Sequence, residues 1–296
     1  MATAEFSLMN NGSTTPANWE SWRQAVKTQL LAVGLIRMDT TTEDTGQLTA
    51  AITVWVNSAN NVYGYDMFRL PVTGQDPLYV KVEYMGGASP TYTQLRFSVG
   101  SRWVSNGTLS VNLTGSTVAP TAVSLMVNSS DSTTRNCWMS CDPAGGFAFV
   151  HAYDSNSNAK ALYIIDSYRT TAGAADTSGF SVMRTNTGST NVIINVDPAN
   201  GAQSNASRWP CLTRGGNPAS VRDASGETTL FPTCQSNTQG SSVSMMSVGY
   251  NINDIPGTTI FSAPHLGATR TFRARPEFPG SSIYNESTIS SAILWE

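Results

Sequence analysis

The sequence predicts a mainly β protein: an N-terminal amphipathic helix packed on an antiparallel sheet, followed by a loop-rich antiparallel β-sandwich or meander domain. Three observations predict it. PANWESWRQAVKTQLLAVGL is the one stretch of its quality with a helical period. From Ile52 onward, short apolar runs recur, each fenced by Gly, Pro, Asn or Asp, the punctuation of strands and turns. LYVKVEY alternates: Leu78, Val80, Val82 and Tyr84 fall on one face, Tyr79, Lys81 and Glu83 on the other, as in a half-buried antiparallel strand.

The helix comes first. Trp19, Trp22, Val26, Leu30 and Val33 recur at spacings of three and four and share one face. Thr14, Thr15 or Asn18 can cap its start, with Pro16 at the first helical position and Glu20 in the first turn, where the helix dipole favours an anion. Gly34 is placed for the left-handed residue that ends a helix, with Leu35 folding back onto the last turn. The two tryptophans either cover a sheet of the same chain or pack on a neighbouring subunit. The loop TTTEDTGQL follows; Asp39, Glu43 and Asp44 could approach a hard cation, but such ions want many oxygens on a fixed loop, and a solvated turn is the expectation.

ITVWV, GYDMFRL, LYVKVEY and QLRFSVG are the strands of the first module, and SRWVSNGTLSVNLTGS is a hairpin turning at Asn106-Gly107. GSTVAPTA has the composition of a boundary, so the expected division is 1–116 for the helix-plus-sheet module and 117–296 for the loop-rich β domain. In the second part TAVSLMVN, CWMSCD, GGFAFVHAYD, KALYIIDSYR, GFSVMRT and NVIINVD read as strands, the third and fourth of them as a hairpin. From Pro198 to Asn237 the periodicity dissolves, predicting a long excursion anchored by Trp209, Leu212 and Phe231. SVSMMSVGYNI, TTIFSAP, ATRTFRARPEF and TISSAILWE return to strand. In the third, Arg273 and Arg275 fall on one face and Arg270 on the other, a surface for solvent or a neighbouring subunit.

In order, the WxxWRxAV helix, the Gly-ended turn, DTGQL, GYDMFRL and LYVKVEYMGGASPTYTQLRFSVG resemble a group of tailed-bacteriophage virion proteins. Members of that group show an N-terminal Trp-containing helix, a DTGQ turn, a GYEIWR strand, a VFIKIEYG strand and an I-x-x-TVG strand. Here Tyr65, Phe68 and Arg69 fall in the second of these motifs to follow the turn's helix, Val80, Lys81, Glu83 and Tyr84 in the next, and Val99 and Gly100 end the last. The likeness covers roughly the first third, with an echo in ALYIIDSYRTTAGAADTSGFSVMR and AILWE; Met85 and the cysteine-containing C-terminal half depart from it. The resemblance implies a tail, baseplate or neck component that assembles with other virion proteins and with copies of itself as a trimer, hexamer or ring, made in the host bacterial cytoplasm and carried in the virion. The alternative is a receptor- or glycan-binding module of a tail fibre or head decoration, with a host surface glycan as partner.

Composition agrees. Charged residues are 12 %, about half the usual share, and the net charge of −3 gives no nucleic-acid footprint. A weakly charged, amide- and hydroxyl-rich surface suits a component held between neighbours. Of the 17 basic residues only Lys27, Lys81 and Lys160 are lysine, and arginine is favoured at interfaces. The start, MATAEFSLMN, lacks the features of a signal peptide, and no apolar run reaches membrane-spanning length. The six Asn-x-Ser/Thr sequons are therefore not read as glycosylated.

Searches for chemistry return no catalytic, cofactor or metal expectation. The only histidines are His151 and His265, and no nucleophile elbow, phosphate loop, dinucleotide fingerprint or HExxH occurs. DSNSNA imitates a calcium loop, but Ala159 stands at its glycine position and Ile165 at its twelfth. Cys137 and Cys141 lack zinc-ribbon spacing, whereas a bridge between Cys211 and Cys234 would staple the irregular excursion. The chain is thus expected not to be an enzyme. Trp19, Trp22, Trp209, Phe231, Arg270, Arg273 and Arg275 are the candidate interface residues.

Overall fold

The structure, a computed structural model, describes residues 1–9, 16–53, 61–74, 76–86, 93–110, 121–127, 134–151, 161–169, 175–186, 192–197, 201–206, 230–237, 240–251, 255–256, 258–274 and 289–296. In chain order its elements are β1 (Ala2–Met9), α1 (Pro16–Ala32), β2 (Ile36–Arg37), β3 (Val62–Leu70), β4 (Leu78–Gly86), β5 (Thr93–Gly100), β6 (Arg102–Ser105), β7 (Thr108–Ser110), β8 (Thr121–Val127) and β9 (Thr134–Asp142). They continue as β10 (Gly146–His151), β11 (Ala161–Arg169), β12 (Ala175–Asn186), β13 (Val192–Asp197), β14 (Gly201–Ala206), β15 (Phe231–Asn237), β16 (Gly240–Asn251), β17 (Ile260–His265), β18 (Ala268–Ala274) and β19 (Ile289–Leu294). The fold is mainly β, with one helix among the described residues packed on antiparallel sheets, none of them closed.

A seven-stranded sheet, β1-β9-β10-β11-β12-β13-β14, is the middle layer. Its side chains alternate between two cores. Cys137, Met139, Phe147, Phe149, Tyr163, Ile165, Phe180 and Val182 join the core of a five-stranded sheet, β2-β3-β4-β5-β8, and its helix. Trp138, Ala148, Val150 and Ile164 enter a second core with another five-stranded sheet, β15-β16-β19-β18-β17. Burial on both faces is why GFAFV and YII are continuous apolar runs rather than alternating ones. Phe97 illustrates the first core: its ring centroid lies 4.6 Å from that of Tyr163 and 6.3 and 6.2 Å from those of Phe147 and Phe149. Fully burying such a ring contributes about 1.5–3 kcal/mol.

The helix forms as its apolar face predicts. Trp19, Trp22, Val26, Leu30 and Val33 are all buried against the chain's own first sheet, Trp22 edge-on to Tyr84 at 5.9 Å. It stops in a Schellman motif. Leu35 N–H donates to Leu30 O (3.1 Å) and Gly34 N–H to Leu31 O (3.0 Å), with Gly34 at φ 105°, a conformation that would strain any residue with a Cβ. Two details differ. The first turn carries no acid, because the helix begins at Pro16 and Glu20 lies beyond that turn, bonded to Arg23 and Gln24. Asn18 is inside the helix, and Thr14 and Thr15 lie outside the described residues.

Strand pairing crosses the division expected between 1–116 and 117–296 in both directions. β1 pairs with β9 over Ala2↔Cys141 to Met9↔Thr134, and β8 pairs with β5 over Thr93↔Val127 to Val99↔Thr121. The reason is edge pairing: β1 and β8 each supply the backbone partners of a sheet formed mainly by the other part of the chain. The excursion from 198 to 237 is strand at both ends, β14 pairing with β13 and β15 with β16, while 207–229 lie outside the described residues. Most of ITVWV also lies outside them, and Ile52 is buried outside any strand. The Asn106-Gly107 hairpin is present as β6–β7, and Gly107 takes φ 65°.

Candidate functional site

The side chains able to carry chemistry gather in four knots. The first is the DTGQ segment, whose Asp44 and Gln47 are built into the protein while Thr45 and Gly46 stay exposed. Asp44 is fully buried. Its Oδ1 accepts Tyr65 Oη–H (2.7 Å) and Gly46 N–H (3.2 Å), and its Oδ2 accepts Gly107 N–H (2.9 Å) and Trp103 Nε1–H (3.1 Å). Burial and then the Asp44 carboxylate push the Tyr65 phenol well above its ordinary pKa. Gln47 donates from Nε2 to Met38 O (3.0 Å) and Asp44 O (3.1 Å) and accepts Met67 N–H at Oε1 (2.8 Å). One loop thereby holds the β6–β7 hairpin over the outer face of the first sheet, where Met38, Met67 and Leu109 form a small core. The three acids do not converge on a cation. Asp39 accepts the N–H and hydroxyl groups of Thr41 and Thr42, which lower its pKa, and Glu43 pairs with Arg69. Among the described residues no cluster of three or more metal-ligating side chains occurs.

The second knot lies between helix and sheet. Asp66 is fully buried with Arg23, only 2 % exposed. Arg37 Nη2–H donates to Asp66 Oδ1 (2.5 Å), Tyr84 Oη–H to Oδ2 (2.9 Å), and Arg23 Nη2 stands 3.6 Å from Oδ2. Both arginines also donate to Leu48 O, Arg23 at 3.0 Å and Arg37 at 2.8 Å. Burial opposes ionisation of Glu20, but bonds from Gln24, the Ile52 N–H and Arg23 hold its carboxyl below the ordinary range.

The third knot joins the central and second sheets, and it contains an acid, a hydroxyl and an imidazole. Asp166, 2 % exposed, accepts Met245 N–H (3.1 Å) and Met246 N–H (3.0 Å) at Oδ1 and Ser244 Oγ–H (2.5 Å) at Oδ2. His265 Nε2 lies 2.8 Å from the carbonyl of Ser244, so that nitrogen carries the proton. These are the residue types of a hydrolytic triad without its geometry: the hydroxyl gives its proton to a carboxylate, the imidazole faces a backbone oxygen, and Ser244 is 1 % exposed. The arrangement fixes a bulge of β16 against β11.

In the fourth knot the Arg273 guanidinium carbon lies 3.7 Å from the Trp138 ring centroid and 4.8 Å from that of Trp295, and Nη1 and Nη2 donate to Glu5 at 2.9 and 3.0 Å. That bidentate bond, with the attraction of the cation, lowers the pKa of Glu5. It ties β18 to β1.

The candidate interface residues therefore divide. Trp19 and Trp22 lie in the core of their own chain, the intrachain alternative, because the first sheet offers them a matching apolar face. Arg273 is buried within the chain rather than facing solvent or a neighbour, because Glu5 neutralises it and two indoles cover it. Arg270 pairs with Glu296 (2.9 Å). Phe231 and Cys234 belong to β15, where the backbone alone is described; Trp209, Cys211 and Arg275 lie outside the described residues. Cys137 and Cys141 are buried thiols, and burial, then Asp142, pushes Cys141 up to about 12.

Sequence reasoning missed β1 and most of the buried acids. The signal for β1 was the alternation of Ala2, Ala4 and Phe6 against Thr3, Glu5 and Ser7. The signal for Asp66 was its phase, on the same face as Phe68 and Leu70, where an acid needs a buried partner. No protein-family model matches the sequence, and no curated protein matches it.

Proposed function

We propose that this chain is a structural component of a tailed-phage virion that works by protein–protein assembly in the tail, baseplate or neck, together with copies of itself. One observation carries the reading: the motifs behind the resemblance bind one another. Arg23 of the tryptophan helix reaches both the carbonyl of Leu48, next to DTGQ, and Asp66 of GYDMFRL, which in turn accepts Tyr84 of LYVKVEY. Motifs that bind one another in this way serve as a scaffold for the N-terminal part of the chain. The low share of charged residues supports an existence among neighbours, as do the outer strands β1, β2, β8, β14, β15 and β17, whose outer edges pair with no other strand among the described residues.

The test is mass determination in solution on the purified protein beside immunogold labelling of intact particles. A discrete trimer or hexamer with label on the tail or neck is the expected result. A monomer that labels no particle refutes the reading, and retention of that monomer on host polysaccharide favours a glycan-binding role instead.

A further inference from the structure

Asn-Gly is the dipeptide in which a peptide nitrogen most easily attacks the preceding side chain, since glycine offers no Cβ to obstruct it. The chain has three: Asn11-Gly12, Asn106-Gly107 and Asn200-Gly201. Asn106 stands exposed at the β6–β7 turn, open to water. In the reaction, Gly107 N bonds to Asn106 Cγ, the Cγ–Nδ2 bond breaks, and the amide proton departs with the leaving nitrogen as ammonia. Water then opens the succinimide at either carbonyl, leaving aspartate or isoaspartate at 106. Water is the sole co-reactant.

Both reacting groups are held apart from this path. Gly107 N–H points at the buried Asp44 carboxylate (2.9 Å), and attack requires that bond to break. The same carboxylate also accepts Tyr65, Trp103 and Gly46, which hold it in place against the turn. The Asn106 side chain is pinned twice: Oδ1 accepts Thr45 N–H (3.0 Å) and Nδ2–H donates to Thr45 Oγ1 (2.8 Å). Turning Cγ toward Gly107 N breaks both bonds.

We propose that Asn106 is a deamidation site kept closed by the Asp44–Thr45 turn, and that detachment of the β6–β7 hairpin opens it. The change runs one way. Aspartate or isoaspartate lacks the Nδ2–H donor to Thr45 and sets a second carboxylate near Asp44, so a hairpin that has reacted no longer seats. The site thus marks permanently those chains whose hairpin has come off the sheet. None of this depends on the virion reading.

The experiment follows conversion at Asn106 by peptide mass spectrometry during incubation of the full-length protein in mildly alkaline buffer, folded and in urea, with Asn11 and Asn200 as internal clocks. Loss of a hydrogen bond to a charged group predicts conversion about ten- to hundredfold slower in the folded protein than in urea. Asp44→Asn speeds Asn106 in the folded protein relative to both clocks. Should that variant fail to fold, Thr45→Val, which removes only the hydroxyl accepting Nδ2–H, gives a smaller acceleration of the same kind. Equal rates at Asn106 in folded and unfolded protein, or no acceleration in a folded variant, overturn the proposal.

Discussion

Replacing Asp66 by alanine tests whether the buried knot between helix and sheet holds the N-terminal part together. The carboxylate is fully buried, and it answers Arg37 at 2.5 Å, Tyr84 at 2.9 Å and Arg23 at 3.6 Å. Its removal leaves Arg23, 2 % exposed, with Glu20 as remaining counter-charge, and leaves the buried Tyr84 hydroxyl without this acceptor. Breaking a buried ion pair by removing one partner costs about 3–5 kcal/mol. Arg37, 23 % exposed, can turn to water and keeps the value from rising further. A domain of ordinary stability has about 5–15 kcal/mol to lose, so Asp66→Ala removes a large fraction of it. Urea unfolding followed by tryptophan fluorescence measures it, because Trp19 and Trp22 lie on the same helix; the midpoint falls while the slope is unchanged. Asp66→Asn, which retains one acceptor oxygen, loses less. A loss below about 1 kcal/mol for Asp66→Ala, the level of a surface pair, would refute the reasoning and mean that water replaces the carboxylate.

Two further outcomes are expected. Arg273→Ala removes the bidentate pair with Glu5 and the cation between Trp138 and Trp295, so limited proteolysis should cut within residues 1–9 faster than in the parent; unchanged cleavage would show that strand pairing alone holds β1. Burial, against the bond to the Ser244 carbonyl, lowers the pKa of His265 from its ordinary 6.5. In the window between the folded value and 6.5 the unfolded chain binds more protons, so this contribution is full above 6.5 and is lost as pH falls through the folded value. Glu5, Glu20 and Glu83, all lowered from 4.5, lose theirs only at more acidic pH, so urea midpoints should decline in two windows. His265→Gln should flatten the upper window alone, and an unchanged upper window in that variant would rule out His265 as its source.

Local pattern made the helix and most strands legible. The stripe from Trp19 to Val33 and the Gly34 stop needed nothing beyond spacing and backbone freedom, and all five stripe residues are buried. What pattern could not supply was partnership across distance. Glu5 reads as an unpaired surface acid until Arg273, 268 residues away, is placed beside it, and Asp166 as a polar residue in an apolar strand until β16 arrives 79 residues later. DTGQL reads as a solvated turn by composition, yet its acid and amide hold four groups from β3 and the β6–β7 hairpin. The division near 116 failed to anticipate β1 and β8 because boundary composition marks a break in the chain and carries no information about which edge a strand joins.

The knots also bear on why so weakly charged a chain places charges inside. A buried ion pair is weak evidence for net stability, since matched apolar residues often do as well; the cost of breaking one measures the stranded charge, not the gain from the pair. Geometry is what the pairs add here. The central sheet is apolar on both faces, and apolar contact alone discriminates poorly between neighbouring placements of one sheet on another. Asp166 bonds two particular amides of β16, and Glu5 one particular arginine of β18, so a shifted second sheet would leave buried polar groups unanswered at both places at once. Asp66 and Asp44 fix the helix and the hairpin on the first sheet in the same way. The proposed assembly role would call for that singular arrangement more than for further stability, since a component held between neighbours must offer them one fixed surface.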